Sequence, residues 1–127
     1  MKDLVTAIEN LSKFPEKVVR GTLIDLAQKV IVRSPVDTGR FRNNWNSSIN
    51  TPNSATTTTA DASGSKAKSQ AVNTIKKMDM GSTFYMTNNL PYAKRLEFGY
   101  SDQAPNGMVR ITVAEFQNAI NREAAKL

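Results

Sequence analysis

Apolar residues recur along this chain at two spacings. Leu4, Ile8 and Leu11, then Val19, Leu23, Leu26, Ala27 and Val30, stand three or four apart and predict one kinked helix or two helices in the N-terminal third. Pro15 suits the first turn of the second helix, with Glu16 beside it at the positive end of the dipole, so a break is expected near residues 13–14. The face carrying Lys13, Lys17, Arg20 and Lys29 is expected to be solvated or to pack on neighbouring subunits. Pro35 disfavours a helical Ser34 and ends the pattern by Arg33. Asp37 and Thr38 can bond their own backbone and Gly39 tolerates positive φ, so an elbow follows. Phe41, Trp45 and Ile49 are four apart, which fits one face of a strand or of a helix. The intervening Asn43, Asn44, Asn46, Ser47 and Ser48 are poor helix-interior residues. They favour a helical turn from Thr38 and then a strand over residues 45–50.

Residues 51–65, with Pro52, four consecutive threonines at 56–59 and Gly64, have almost no apolar content and read as a flexible polar loop. Ala67, Ala71, Val72, Ile75 and Met78 then mark an amphipathic helix over 66–78. Residues 81–88 read as a strand pairing with 45–50. Asn88, Asn89 and Pro91 signal a helix start and Gly99 a stop, with Tyr92 and Leu96 on the inner face. Glu97 falls in the last turn, where an anion opposes the dipole, so it either finds a compensating partner such as an arginine or backbone amides or stands as an exposed carboxylate. A turn at 104–107 leads into a third strand at 108–111, and Thr112 and Glu115 form a capping box that opens a helix over 113–126. The expected fold is α+β: one domain over residues 1–127, with a small antiparallel sheet packed against a long N-terminal helix (kinked or split) and a C-terminal helix.

A chain of 127 residues supports one modest core. Cysteine and histidine are both missing, which removes disulfides, thiolate nucleophiles, imidazole bases and most zinc sites. Asp37, Glu97 and Asp102 are too sparse for a carboxylate pair, and there is no Gly-rich phosphate loop. No catalytic, cofactor-binding or metal-binding residue is therefore assigned, and an enzyme is not expected. The first ten residues lack the apolar core of a secretory signal and no apolar run reaches membrane-spanning length, so a soluble protein made in the cytoplasm, without a membrane partner, is expected. The net charge of +6 is unevenly placed: residues 38–77 hold six Lys or Arg against one acidic residue. Nucleic acid nearby follows from that, whereas sequence-specific binding does not. Trp45 is expected as a core or interface anchor rather than a base-stacking platform.

Ser-Pro-Val-Asp-Thr-Gly-Arg-Phe-Arg at 34–42, followed by Pro-Tyr-Ala-Lys-Arg-Leu-Glu-Phe-Gly at 91–99, resembles the neck or tail-completion family of long-tailed bacteriophages. The family pattern is Pro-Val-Asp-Thr-Gly before an apolar residue, then Tyr-Ala with Glu-x-Gly a few residues on. Residues 108–116 resemble one branch; many members instead have a Pro-Phe-Leu-type stretch there. The resemblance implies a structural virion protein of the neck or tail, assembled in the host bacterial cytoplasm. It would form a six- or twelve-fold homo-oligomeric ring around the DNA channel, contact head-closure or connector and tail-terminator or tail-tube proteins, and help join tail to capsid. It makes Pro35, Asp37, Thr38, Gly39, Tyr92, Ala93, Glu97 and Gly99 structural or interface positions. Arg40, Arg42, Lys66, Lys68, Lys76 and Lys77 are the candidates for contact with passing DNA, non-specifically, or with a protein partner. A non-specific nucleic-acid-binding domain is the alternative, although no zinc pattern or recognition helix supports it.

Overall fold

A computed structural model describes residues 4–8, 14–99, 102–104 and 107–126, with the backbone alone at 4–8 and at Gln117. Chain order is β1 (Leu4–Ile8), α1 (Glu16–Val32), α2 (Arg40–Asn43), β2 (Trp45–Ile49), α3 (Ser65–Lys77), β3 (Phe84–Asn88), α4 (Ala93–Glu97), α5 (Val109–Ala114) and α6 (Phe116–Ala125). The fold is α+β, with an antiparallel sheet against a long helix near the N-terminus and a C-terminal helix. β3 is central and antiparallel to both neighbours; Leu4 and Trp45 pair with Asn88, and Ile8 and Ile49 with Phe84.

Two of the three expected strands are present, and the third is elsewhere. Residues 4–8, expected to be helical, form β1, because a four-residue spacing also aligns side chains on one face of a strand and β3 supplies the ladder. Leu11 and Lys13 lie outside the described residues. The long helix is one continuous span behind Pro15, whose carbonyl accepts the amides of Val18 and Val19. Residues 108–111, expected as the third strand, enter α5 instead. The capping box fails with it. Thr112 sits inside α5 and its hydroxyl donates to the Met108 carbonyl (2.6 Å), while Glu115 pairs with Arg33. The C-terminal helix is thus two pieces meeting at Glu115. Residues 105–106 of the expected turn are outside the described span.

One face of the sheet meets α1 and α3 through Trp45, Phe84 and Met86, joined in the core by Leu23, Ile31 and Ile75. Burial of these apolar surfaces is the main stabilising term. Trp45 is 1% exposed, and its indole donates to the Ser34 hydroxyl (2.7 Å), so it is a core residue. The other face carries Asn46, Ser48 and Thr87, and the 51–64 loop crosses it there. Carbonyls two residues apart turn towards the body: Asn53 accepts Thr87 Oγ1 (2.6 Å), Ala55 accepts Asn46 Nδ2 (2.8 Å), Thr57 accepts Asn44 Nδ2 (3.0 Å) and Thr59 accepts Asn43 Nδ2 (3.0 Å). The asparagines unsuited to a helix interior thus supply the bonds that an apolar-poor segment cannot obtain from a core.

Candidate functional site

The elbow is built from backbone constraints. α1 ends at Val32 with Arg33 as its C-cap, and the Ser34 hydroxyl donates back to the Val30 carbonyl (2.8 Å). Val36 is clasped by Gln103, whose amide accepts from the Val36 N–H (2.8 Å) and donates to its carbonyl (3.0 Å). Thr38 Oγ1 accepts the Arg40 amide (3.2 Å), whereas Asp37 is exposed and makes no hydrogen bond or ion pair among the described residues. The local bond expected of Asp37 is therefore not formed. Gly39 has φ +98°, and its carbonyl accepts the amides of Asn43 (3.0 Å) and Asp61 (3.2 Å). A Cβ there would overlap the Ala62 backbone nitrogen and stand 2.6 Å from the Asp61 carbonyl carbon. Only glycine satisfies both the conformation and the approach of the loop.

The second motif returns to the same place. Tyr92 lies against Phe41, ring centroids 5.9 Å apart, and Phe41 meets Trp45 edge-on at 6.0 Å. Pro35, Phe41, Tyr92 and Leu96 line a groove of about 440 Å3, with Asp37 and Gln103 also on its wall. Ala93 is fully buried behind it, and Gly99 has φ +87° at the exit of α4. Residues more than fifty positions apart in sequence thus share one surface feature.

Glu97 is 1% exposed and serves a helix other than its own. Its Oε1 accepts the amides of Met108 and Val109 (both 2.8 Å), and Oε2 accepts the amide (2.8 Å) and Nε (3.1 Å) of Arg110. Arg110 also donates from Nη2 to the Glu97 carbonyl (2.7 Å). The carboxylate at the unfavourable end of α4 is stabilised by the unpaired amides that start α5. This explains why residues 108–111 turn helical. Gly107, at φ +82°, leaves the room; a Cβ there would come within 2.5 Å of Oε2. Gln103, Gly107 and Arg110 went unassigned from sequence. A partner for Glu97 was one of two readings its position in the last turn allows, and nothing in the chain pairs position 97 with 108–110 before folding.

The six basic candidates divide. Arg40 donates from Nε to the Thr57 carbonyl (3.2 Å). Arg42 donates to the carbonyls of Ala62 (2.8 Å), Val32 (2.9 Å) and Ser34 (2.8 Å). Burial lowers the Arg42 pKa, and the nearby Asp61 charge opposes that shift. Both arginines tie the elbow to the loop. Lys66, Lys76 and Lys77 are exposed on α3, with Lys66 and Lys77 on one face at three-turn spacing, while Lys68 is half-buried near Gln28. Asp61 lies at the start of α3; its pKa is lowered by the Ser63 hydroxyl (2.6 Å) and then by the Lys66 amide (3.0 Å). Among the described residues no group of three acidic, cysteine or histidine residues is placed to hold a metal, and no helix is long and apolar enough to cross a membrane.

The family described as "Bacteriophage HK97-gp10, putative tail-component" matches residues 1–99 of the 127. That span holds both motifs and the three strands found among the described residues, and it stops before the segment that Glu97 anchors. No curated protein and no solved structure matches the chain. The match takes in well over half of the sequence, and the stretches at 34–42 and 91–99 that fold together around Phe41 and Tyr92 lie inside it: the chain belongs to the HK97-gp10-like family of phage tail components.

Proposed function

We propose that this virion protein is a neck or tail-completion subunit that forms a ring around the DNA channel and helps join tail to capsid. The observation that carries the reading is the use made of the motif residues. Gly39, Ala93, Glu97 and Gly99 fix backbone geometry, and Glu97 spends its carboxylate oxygens on three amides and an arginine. Such residues build a rigid piece for fitting against neighbours rather than a reaction centre. The exposed lysines of α3 give diffuse positive charge, which suits a surface that DNA must pass without being held. Its partners would be further copies in a six- or twelve-fold ring, head-closure or connector proteins, tail-terminator or tail-tube proteins, and the genome, with assembly in the host bacterial cytoplasm. The role is structural rather than enzymatic.

Loss of this chain from an infecting phage should leave DNA-filled heads and finished tails unjoined in electron micrographs of the lysate. Normally joined particles without it would refute the reading. A stand-alone nucleic-acid-binding domain is the second reading, favoured by the lysine-bearing face of α3. It requires the purified monomer to shift DNA at near-physiological salt; the neck reading requires that it does not bind tightly there.

A further inference from the structure

We propose that the groove between the elbow and α4 receives the Phe98 side chain of a second copy of this chain, making a head-to-tail contact; the inference rests on the ring reading above and names its interface. Phe98 is the most exposed of the large apolar side chains among the described residues, at 60%. It projects from the end of α4 with the Arg110 guanidinium 4.8 Å from its ring centroid, and Lys94 lies one turn earlier on the same face. The protruding aromatic is therefore flanked by cations.

The receiving groove has the opposite character. Its apolar lining of Pro35, Phe41, Tyr92 and Leu96 is joined by Asp37, an exposed carboxylate with no partner among the described residues. A volume of about 440 Å3 is ample for one aromatic side chain. An aromatic entering it would bury apolar area on both sides and bring Lys94 or Arg110 towards Asp37.

The two features cannot meet within one chain by a local motion. Leu96 faces the groove, and Phe98 is two residues on, about 200° around the helix axis at 100° per residue. Projection and recess therefore lie on opposite sides of α4, and Phe98 does not line the groove. A projection on one side and a complementary recess on the other give a heterologous contact, which repeats from copy to copy and closes into a ring when the rotation allows.

The chain has no cysteine, so engineered thiols report one contact cleanly. Lys94→Cys and Thr38→Cys variants, both retaining Phe98 and the second placed on the groove wall, one carrying a mass tag, are purified separately, mixed and mildly oxidised. The expected result is a mixed disulfide several-fold more abundant than either homodimer. In sedimentation velocity, Phe98→Asp should weaken self-association about tenfold or more, as for one central anchor, while Phe98→Tyr retains it. Far-UV circular dichroism should show both variants folded, since the side chain is exposed. A mixed disulfide no more abundant than the homodimers, from a chain that still assembles, overturns the contact and leaves the ring reading standing. A chain that stays monomeric at every concentration overturns the contact and also counts against the ring. A disulfide from position 38 to a different virion protein in assembled particles gives the groove to that protein and overturns the proposal.

Discussion

At the scale of single residues, Gly39 and Gly81 separate conformation from contact. Both have positive φ, +98° and +91°, but a Cβ at Gly39 would collide with the backbone of Asp61 and Ala62, whereas at Gly81 it would meet nothing within 4 Å. Gly81→Ala should therefore cost only the left-handed penalty, about 1–2 kcal/mol. Gly39→Ala should cost clearly more, because the loop must also shift. Equal losses in urea unfolding would show that the approach of the loop to Gly39 contributes nothing. The positive φ of Gly39 was legible from Asp-Thr-Gly behind a proline, since turn chemistry is local. The collision partner was not, because Ala62 reaches Gly39 only after the loop folds back, held there by the Asp61 amide on the Gly39 carbonyl, by Arg42 on the Ala62 carbonyl and, further along, by the asparagines at 43, 44 and 46.

At the scale of elements, α1 is fastened to the C-terminal pair by charge. Arg33 donates to Glu115 (2.5 and 2.9 Å) and to Thr112 (2.9 Å), and Asp25 pairs with Lys29 (3.2 Å) and Arg122 (3.0 Å). The Arg33 hydrogen bond, ahead of the charges of Arg33, Lys29 and Arg122, holds the Glu115 pKa below its ordinary value. A carboxylate with a lowered folded-state pKa stabilises the fold fully above the ordinary glutamate range and loses that contribution as pH falls through the lowered value. Glu115→Gln should thus be less stable than the parent at pH 7, and the gap should shrink below about pH 4. A gap unchanged between pH 7 and pH 3 would contradict the assignment. The site is partly exposed, so the effect should be small. The helices α1 and α3 were legible because their apolar periods are long and their ends carry proline, glycine or a basic last turn. β1 and α5 were not, for a shared reason. Five residues at 4–8 and four at 108–111 are too short for periodicity to decide, and the deciding partners, β3 and Glu97, are remote in one case and held by side-chain capture in the other.

At the scale of the whole molecule, fixed and free groups are sorted by place. Arg40, Arg42 and Glu97 are committed to internal bonds, while Lys66, Lys76 and Lys77 remain in solvent on α3. Changing Lys66, Lys68, Lys76 and Lys77 together to glutamate should leave folding intact by circular dichroism. If α3 faces the DNA channel, tails still join but infectious particles fall in number; if it faces a neighbouring protein, joining stops. Normal joining and normal titre would assign the lysines to ordinary surface solubility. The two motifs were each visible in the sequence as short stretches, and both lie within the residues that the family match covers. Their convergence on one groove was not visible, since it depends on Phe41 and Tyr92 meeting across the elbow. Whether this chain closes a ring at the head-to-tail junction is decided by a cryo-EM reconstruction of the assembled particle. The expected result is a closed ring of identical subunits around the channel between portal and tail tube. Density for the chain as isolated subunits, or outside that junction, would contradict it.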